Sequence, residues 1–94
     1  RKDKTMQYIL IIGRGSEAYW GHFPDVPGCT TAGATVEEIV ANGAEALALH
    51  LEDAEAPPAR TLAAILADPE ATADLDGSEL FAPVAYDADR VAAV

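Results

Sequence analysis

Phe23-Pro24-Asp25-Val26-Pro27-Gly28-Cys29-Thr30-Thr31-Ala32-Gly33-Ala34-Thr35-Val36-Glu37-Glu38 is the run whose reading decides the fold. Pro24 and Pro27 fix their own φ and push the residues before them, Phe23 and Val26, toward extended geometry. Gly28 and Gly33 give the backbone freedom where the chain must turn. Thr35 with Glu38 three residues on is a capping box. Its hydroxyl accepts from the Glu38 N–H while the Glu38 carboxylate reaches back to the Thr35 N–H. The run predicts the end of one strand near Phe23, a stiff loop, a brief strand over 29–32 and a helix beginning at Thr35.

Working outward, residues 7–12, Gln-Tyr-Ile-Leu-Ile-Ile, are a short apolar run bounded by Gly13. Such a run predicts a central strand buried on both sides, with Tyr8, Leu10 and Ile12 on one face and Ile9 and Ile11 on the other. Residues 13–17 read as a hairpin loop and 18–23 as a second, antiparallel strand. There Tyr19, Gly21 and Phe23 oppose Trp20 and His22. After Thr35, the helix is expected to run to about Leu51, burying Val36, Ile39, Val40, Gly43, Leu47, His50 and Leu51. Gly43 costs roughly 1 kcal/mol relative to Ala inside a helix, a cost that close approach to the sheet offsets.

Pro57-Pro58 stops that helix. Thr61 caps a second, short one over 61–66, with Leu62, Ile65 and Leu66 inward, and Pro69 opens a further turn through Ala73. Residues 79–86 alternate as a fourth strand, placed at a sheet edge or at a bulge by Pro83. The expected architecture is α+β, in the order β-β-β-α-(short α)-β. The sheet order is 3-2-1-4 with helices on one face, and a right-handed crossover makes the last strand parallel to the first. The first strand is apolar on both sides, so the second face needs another chain. A homo-oligomer, dimer or tetramer, is therefore expected, with Tyr8, Ile9, Ile11, Tyr19 and Pro83 at its interface.

The totals bound the function. Ninety-four residues suffice for one domain. With no apolar run of membrane-spanning length, no signal segment and a single cysteine, the expectation is a soluble, cytoplasmic protein that does not engage membranes. Sixteen acids against six bases give a net charge of −10. Residues 1–5 read as a leader or an appended remnant. They hold three bases and one acid, which leaves −12 for the rest. A body this acidic repels phosphate backbones, so no direct nucleic-acid binding is expected. The charge favours a basic protein partner, or serves solubility alone. Glu52, Asp53 and Glu55 gather at the C-terminal end of the long helix, where the macrodipole favours cations. That misplacement points to a partner, or to a solvated tail.

The run Phe23-Pro24-Asp25-Val26-Pro27-Gly28-Cys29, with Thr31, Gly33, Thr35-Val36-Glu37-Glu38, Asn42 and Ala44-Glu45-Ala46-Leu47, resembles the HicB-like antitoxin family. Thr61-Leu62, Ala67-Asp68-Pro69-Glu70 and the last strand look like the family's ending, so the likeness spans residues 6–87. It implies a partial RNase H-like fold and a type II toxin–antitoxin role. The partner implied is a small basic HicA-like toxin that cleaves messenger RNA with a histidine, which the antitoxin occludes. Many members continue into a DNA-binding domain. Residues 88–94 read only as a tail, so none is expected here. A stand-alone oligomer of this fold, structural or ligand-binding, is the alternative.

Nuclease chemistry on an RNase H-like fold needs carboxylates converging on two metal ions, usually including one on the first strand, and residues 7–12 contain none. Cys29, His22 and His50 lack metal-ligand spacing. Cys29 reads as a small buried hydrophobe and His50 as a core histidine. Neither catalytic residue, metal nor cofactor is expected. Gly13-Arg14-Gly15-Ser16 precedes no helix and reads as a hairpin loop rather than a phosphate cradle. Trp20 and Tyr19 cannot share a face, so one packs under the helix and the other anchors a partner or subunit. The partner-binding set expected is Trp20, Asp25, Glu52, Asp53 and Glu55.

Overall fold

The computed structural model describes residues 5–87. Strand β1 (Thr5–Arg14) turns into β2 (Tyr19–His22), and the proline loop leads to β3 (Thr30–Gly33). Helix α1 (Val36–His50) follows, then α2 (Leu62–Leu66), α3 (Pro69–Thr72) and β4 (Leu80–Asp87). The four strands form one sheet in the order β3-β2-β1-β4, every neighbouring pair antiparallel. β1 begins at Thr5, which pairs with Asp87, so the sheet takes in the last residue of the expected leader. Residues 1–4 and the tail at 88–94 lie outside the described residues.

The β1 alternation divides the interior as its sequence predicts. Tyr8, Leu10 and Ile12 join Phe23, Val26, Cys29, Ile39, Leu47 and Leu51 in one core beneath α1. Thr35 caps α1 by accepting from the Glu38 N–H at 3.0 Å. The Glu38 carboxylate reaches back one residue further than a capping box requires, to the Ala34 N–H at 2.6 Å. The helix rests on glycine. A Cβ at Gly33 would lie 2.6 Å from the Ile39 nitrogen, and one at Gly43 would lie 3.2 Å from the Phe23 ring. His50, expected in the core, is exposed at the helix end.

Two expectations are corrected, with one cause. The helices do not share a face, and β4 is antiparallel to β1 rather than parallel. α1 descends the first face, ending where the Tyr86 hydroxyl meets the Leu51 carbonyl and the Tyr8 hydroxyl meets that of Pro57. The chain then climbs the opposite face, where Ile65 packs on Ile9 and Ile11 with Ala71, Leu75 and Phe81 around them. It therefore reaches β4 at the end where β1 finishes, Leu80 opposite Ile12, and must run back down. Of the α2 side chains expected inward only Ile65 is buried, with Leu62 and Leu66 exposed, because so short a helix touches the sheet along one line. Pro83 lies exposed on the edge strand, as expected.

Gly33→Ala pushes a methyl into the backbone of the first α1 turn, which cannot yield without shifting the helix. We expect a loss of about 1–3 kcal/mol and a fall in Tm on the order of 10 °C for a domain of this size. Gly13→Ala, whose nearest contact would be a comfortable 3.9 Å, serves as the control. Thermal unfolding followed by circular dichroism measures both, and equal Tm values would refute the account.

Candidate functional site

Alternation along β2 sends Tyr19 and Gly21 toward α1, and Trp20 and His22 to the other face. Tyr19 packs against the α1 core, with the Arg14 guanidinium 5.5 Å from its ring centroid and Nη2 donating to its hydroxyl at 3.2 Å. Trp20 has no such cover and is 64% exposed. α2 and α3 shield Ile9 and Ile11 but stop short of β2 and β3, so half of this sheet face stays open.

A groove of about 460 Å³ occupies that open half. Gly13, Trp20, Gly21, His22 and Thr30 border it on the sheet side, with Ile11 on its floor and Asp74, Leu75 and Glu79 opposite. A second hollow of about 300 Å³ continues it past His22, Asp74 and Leu75 to Pro24, Arg60, Asp68, Glu70 and Ala71. Four carboxylates, those of Asp68, Glu70, Asp74 and Glu79, thus border a surface that also includes Arg60 and the His22 imidazole. Gly15 leaves room for the indole, since a Cβ there would fall 3.0 Å from Trp20 Nε1.

Arg60 is committed within the chain. Its Nε donates to Asp25 Oδ1 at 2.6 Å, its backbone N–H to Asp25 Oδ2 at 2.7 Å, and Nη1 to Asp68 Oδ2 at 3.0 Å. These bonds tie the proline loop to the start of α2 and to the cap of α3, where Asp68 Oδ1 accepts from the Glu70 N–H. The Arg60 guanidinium first, and that N–H second, hold the Asp68 carboxyl below the usual carboxylate range. Burial raises the pKa of the Cys29 thiol, in keeping with a small core side chain.

The residues expected at partner contacts are therefore dispersed. Trp20 stands at the groove. Asp25 does not: its side chain is 6% exposed, and both oxygens accept from Arg60. Glu52, Asp53 and Glu55 are exposed just beyond α1, on the chain that crosses from one sheet face to the other, and line neither hollow. Among residues expected at a subunit interface, Tyr8, Ile9 and Ile11 are enclosed by this chain's own helices. The Tyr8 hydroxyl donates to the Pro57 carbonyl, and burial raises its pKa, helped by Tyr86. Tyr19 is half-buried and Pro83 exposed. Glu70, Asp74, Leu75 and Glu79 were not legible as site residues. The nearest signal was Arg60, one of few bases in an acidic body. Among the described residues, no three His, Cys, Asp or Glu side chains gather as metal ligands, and no helix is long and apolar enough to cross a membrane.

A four-stranded α+β domain with an exposed tryptophan in an acid-rimmed groove has the features of a protein-binding module. Residues 8–79 match the family model described as "HicB_like antitoxin of bacterial toxin-antitoxin system", and the chain belongs to that family. A protein of the rep-hol intergenic region of Haemophilus phage HP1 is 34% identical over 70 residues, 69% of this chain, which spans about half (53%) of that relative's length. A chain of the solved HicA3 and HicB3 toxin-antitoxin complex superimposes with a TM-score of 0.67 at 29% identity, covering 84% of this chain and 95% of that one. The antitoxin HicB of Burkholderia pseudomallei gives 0.68 at 24% identity, over 84% of this chain and 61% of its own, a likeness of fold.

Lowering the Asp68 pKa on folding stabilises the native state fully above the ordinary carboxylate range. That stability is lost as pH falls through the lowered, folded-state value. The urea midpoint of the wild type should drop on acidification through this window. Asp68→Asn should lower the midpoint at neutral pH and flatten part of that drop. An unchanged pH slope in the variant would remove the ion triad from the account.

Proposed function

We propose that this chain is the antitoxin of a type II pair. It binds a small basic HicA-like toxin and neutralises it by covering the site that cleaves messenger RNA. The observation that carries this reading is the family match over residues 8–79, in a chain of net charge −10. An acidic body speeds encounter with a cationic partner and discriminates against neutral or acidic ones. Inhibition by occlusion needs no chemistry from the inhibitor, so the chain acts as a stoichiometric binder rather than an enzyme. It works in the cytoplasm, where the messenger RNA is. The same acidity opposes contact with RNA or DNA backbones.

Self-association into dimers or tetramers is a second reading. Leu66 and Leu80, 50% and 46% exposed, favour it as apolar area left outside the core. β4 also forms an outer edge, although Pro83 deprives it of one backbone donor there.

Co-expression with the small basic protein encoded beside the gene tests the proposal. Growth arrest by that protein alone should be relieved by this chain, and the two should elute together in size-exclusion chromatography. Raised salt should weaken the complex, as expected for a charge-steered pair. Arrest that persists, with two separate elution peaks, would overturn the reading. Light scattering on the chain alone decides between a monomer and the self-associated form.

A further inference from the structure

We propose that the toxin docks in the groove beside Trp20, inserting an apolar side chain flanked by lysine or arginine, and that the acids at 52–55 take no part. This rests on the antitoxin reading above and adds the surface. The described surface has one tryptophan, and it stands 64% exposed on a strand where Tyr19 is half-buried, Gly21 buried and His22 exposed beside it. A large ring left in water is the kind of group that gains most when a partner closes over it. The space beside it, about 460 Å³, suits one or two side chains, and Ile11 on its floor and Leu75 opposite give it apolar lining. Trp20 stays in place because β2 is paired on both sides and Gly15 yields room for the indole. Little ordering is then left to the moment of binding.

Charge selects the occupant. Glu70, Asp74 and Glu79 border the groove and its extension, and the nearby guanidinium of Arg60 is already spent on Asp25 and Asp68. A cationic rim on the partner completes this pattern. A second copy of this chain does not, because a two-fold contact through the groove sets each acidic rim against its own image, between bodies that each carry −10. Glu52, Asp53 and Glu55 are exposed but border neither the groove nor its extension, which gives them steering at most.

Trp20 is the chain's single tryptophan, so labelling with 5-fluorotryptophan gives one fluorine resonance from the groove. The labelled chain is titrated with unlabelled toxin from the neighbouring gene, purified as an inactive variant. Affinities are measured in parallel for Trp20→Ala, for Glu70→Lys with Asp74→Lys, and for Glu52→Lys with Asp53→Lys and Glu55→Lys. The fluorine resonance should shift on binding. Trp20→Ala should weaken the complex at least about thirtyfold, the scale of an interface hot spot. The groove double variant should lose about tenfold or more, largely through slower association, and the 52–55 triple variant less than about threefold. An unmoved resonance, with full affinity in the groove variants, would overturn the docking site and leave the antitoxin reading standing. No complex with the wild type would overturn the antitoxin reading, and the groove's partner with it. A resonance that shifts with the chain's own concentration, toxin absent, would give the groove to a second copy. The shift is read on the wild type, so a variant that failed to fold would not decide the result.

Discussion

β1 must be covered on both faces, and the placement of every other element follows from that constraint. Tyr8, Leu10 and Ile12 point one way and Ile9 and Ile11 the other, and all five are buried. Fully burying a side chain of this size is worth about 1.5–3 kcal/mol relative to leaving it exposed. A fold that left either face of β1 in water would forfeit several such terms. α1 is long enough to cover the first face across β3, β2, β1 and β4. The chain available for the second face, between Pro57 and Glu79, forms only nine helical residues in two short helices. It covers β1 and β4 through Ile65, Ala71 and Leu75, which pack with Phe81 of β4, and then runs out. The open half of the sheet is the remainder of that division.

The second-face segment is too small to hold itself in place by burial alone, with one fully buried side chain in α2 and none in α3. Arg60 supplies the fixing. It donates two bonds to Asp25 of the proline loop and one to Asp68 of the α3 cap. Hydrogen bonds of this kind, with an ionised donor or acceptor, are shorter and roughly twice as strong as neutral ones. Asp25 thus links the loop that ends β2 to the segment that defines the groove wall. In an acidic chain the scarce cation is used for architecture, pairing with Asp25 and Asp68 rather than with Glu70, Asp74 or Glu79 at the open groove.

Much of this was legible locally. β1, the Thr35 cap, the Gly43 approach, the edge position of Pro83 and the sheet order all follow from patterns within a few residues. What was not legible depends on where a short helix lands. No periodicity says which face a five-residue helix covers. That was decided by Ile65 reaching the second face of β1 and by an ion triad joining positions 35 and 8 residues apart. The wrong face brought the wrong direction for β4, and the cover over Ile9 and Ile11 that was expected from a second chain comes from the protein's own Ile65. The site followed the same division. Trp20 stood out because strand alternation places it opposite Tyr19. Asp74, Leu75 and Glu79 carry no local signature, since only the climb across the second face brings them to β2. Asp25 looked available because its partner Arg60 is remote in sequence.

An exposed tryptophan beside apolar floor is ordinarily a liability for self-association. Here the acids around it change the balance. Two like copies approaching through this face bring carboxylates together, and the repulsion acts before the rings can touch. A cationic surface meets the opposite field, and on contact it also gains the burial of the indole. One arrangement of charge around one aromatic therefore opposes the identical partner and admits the complementary one.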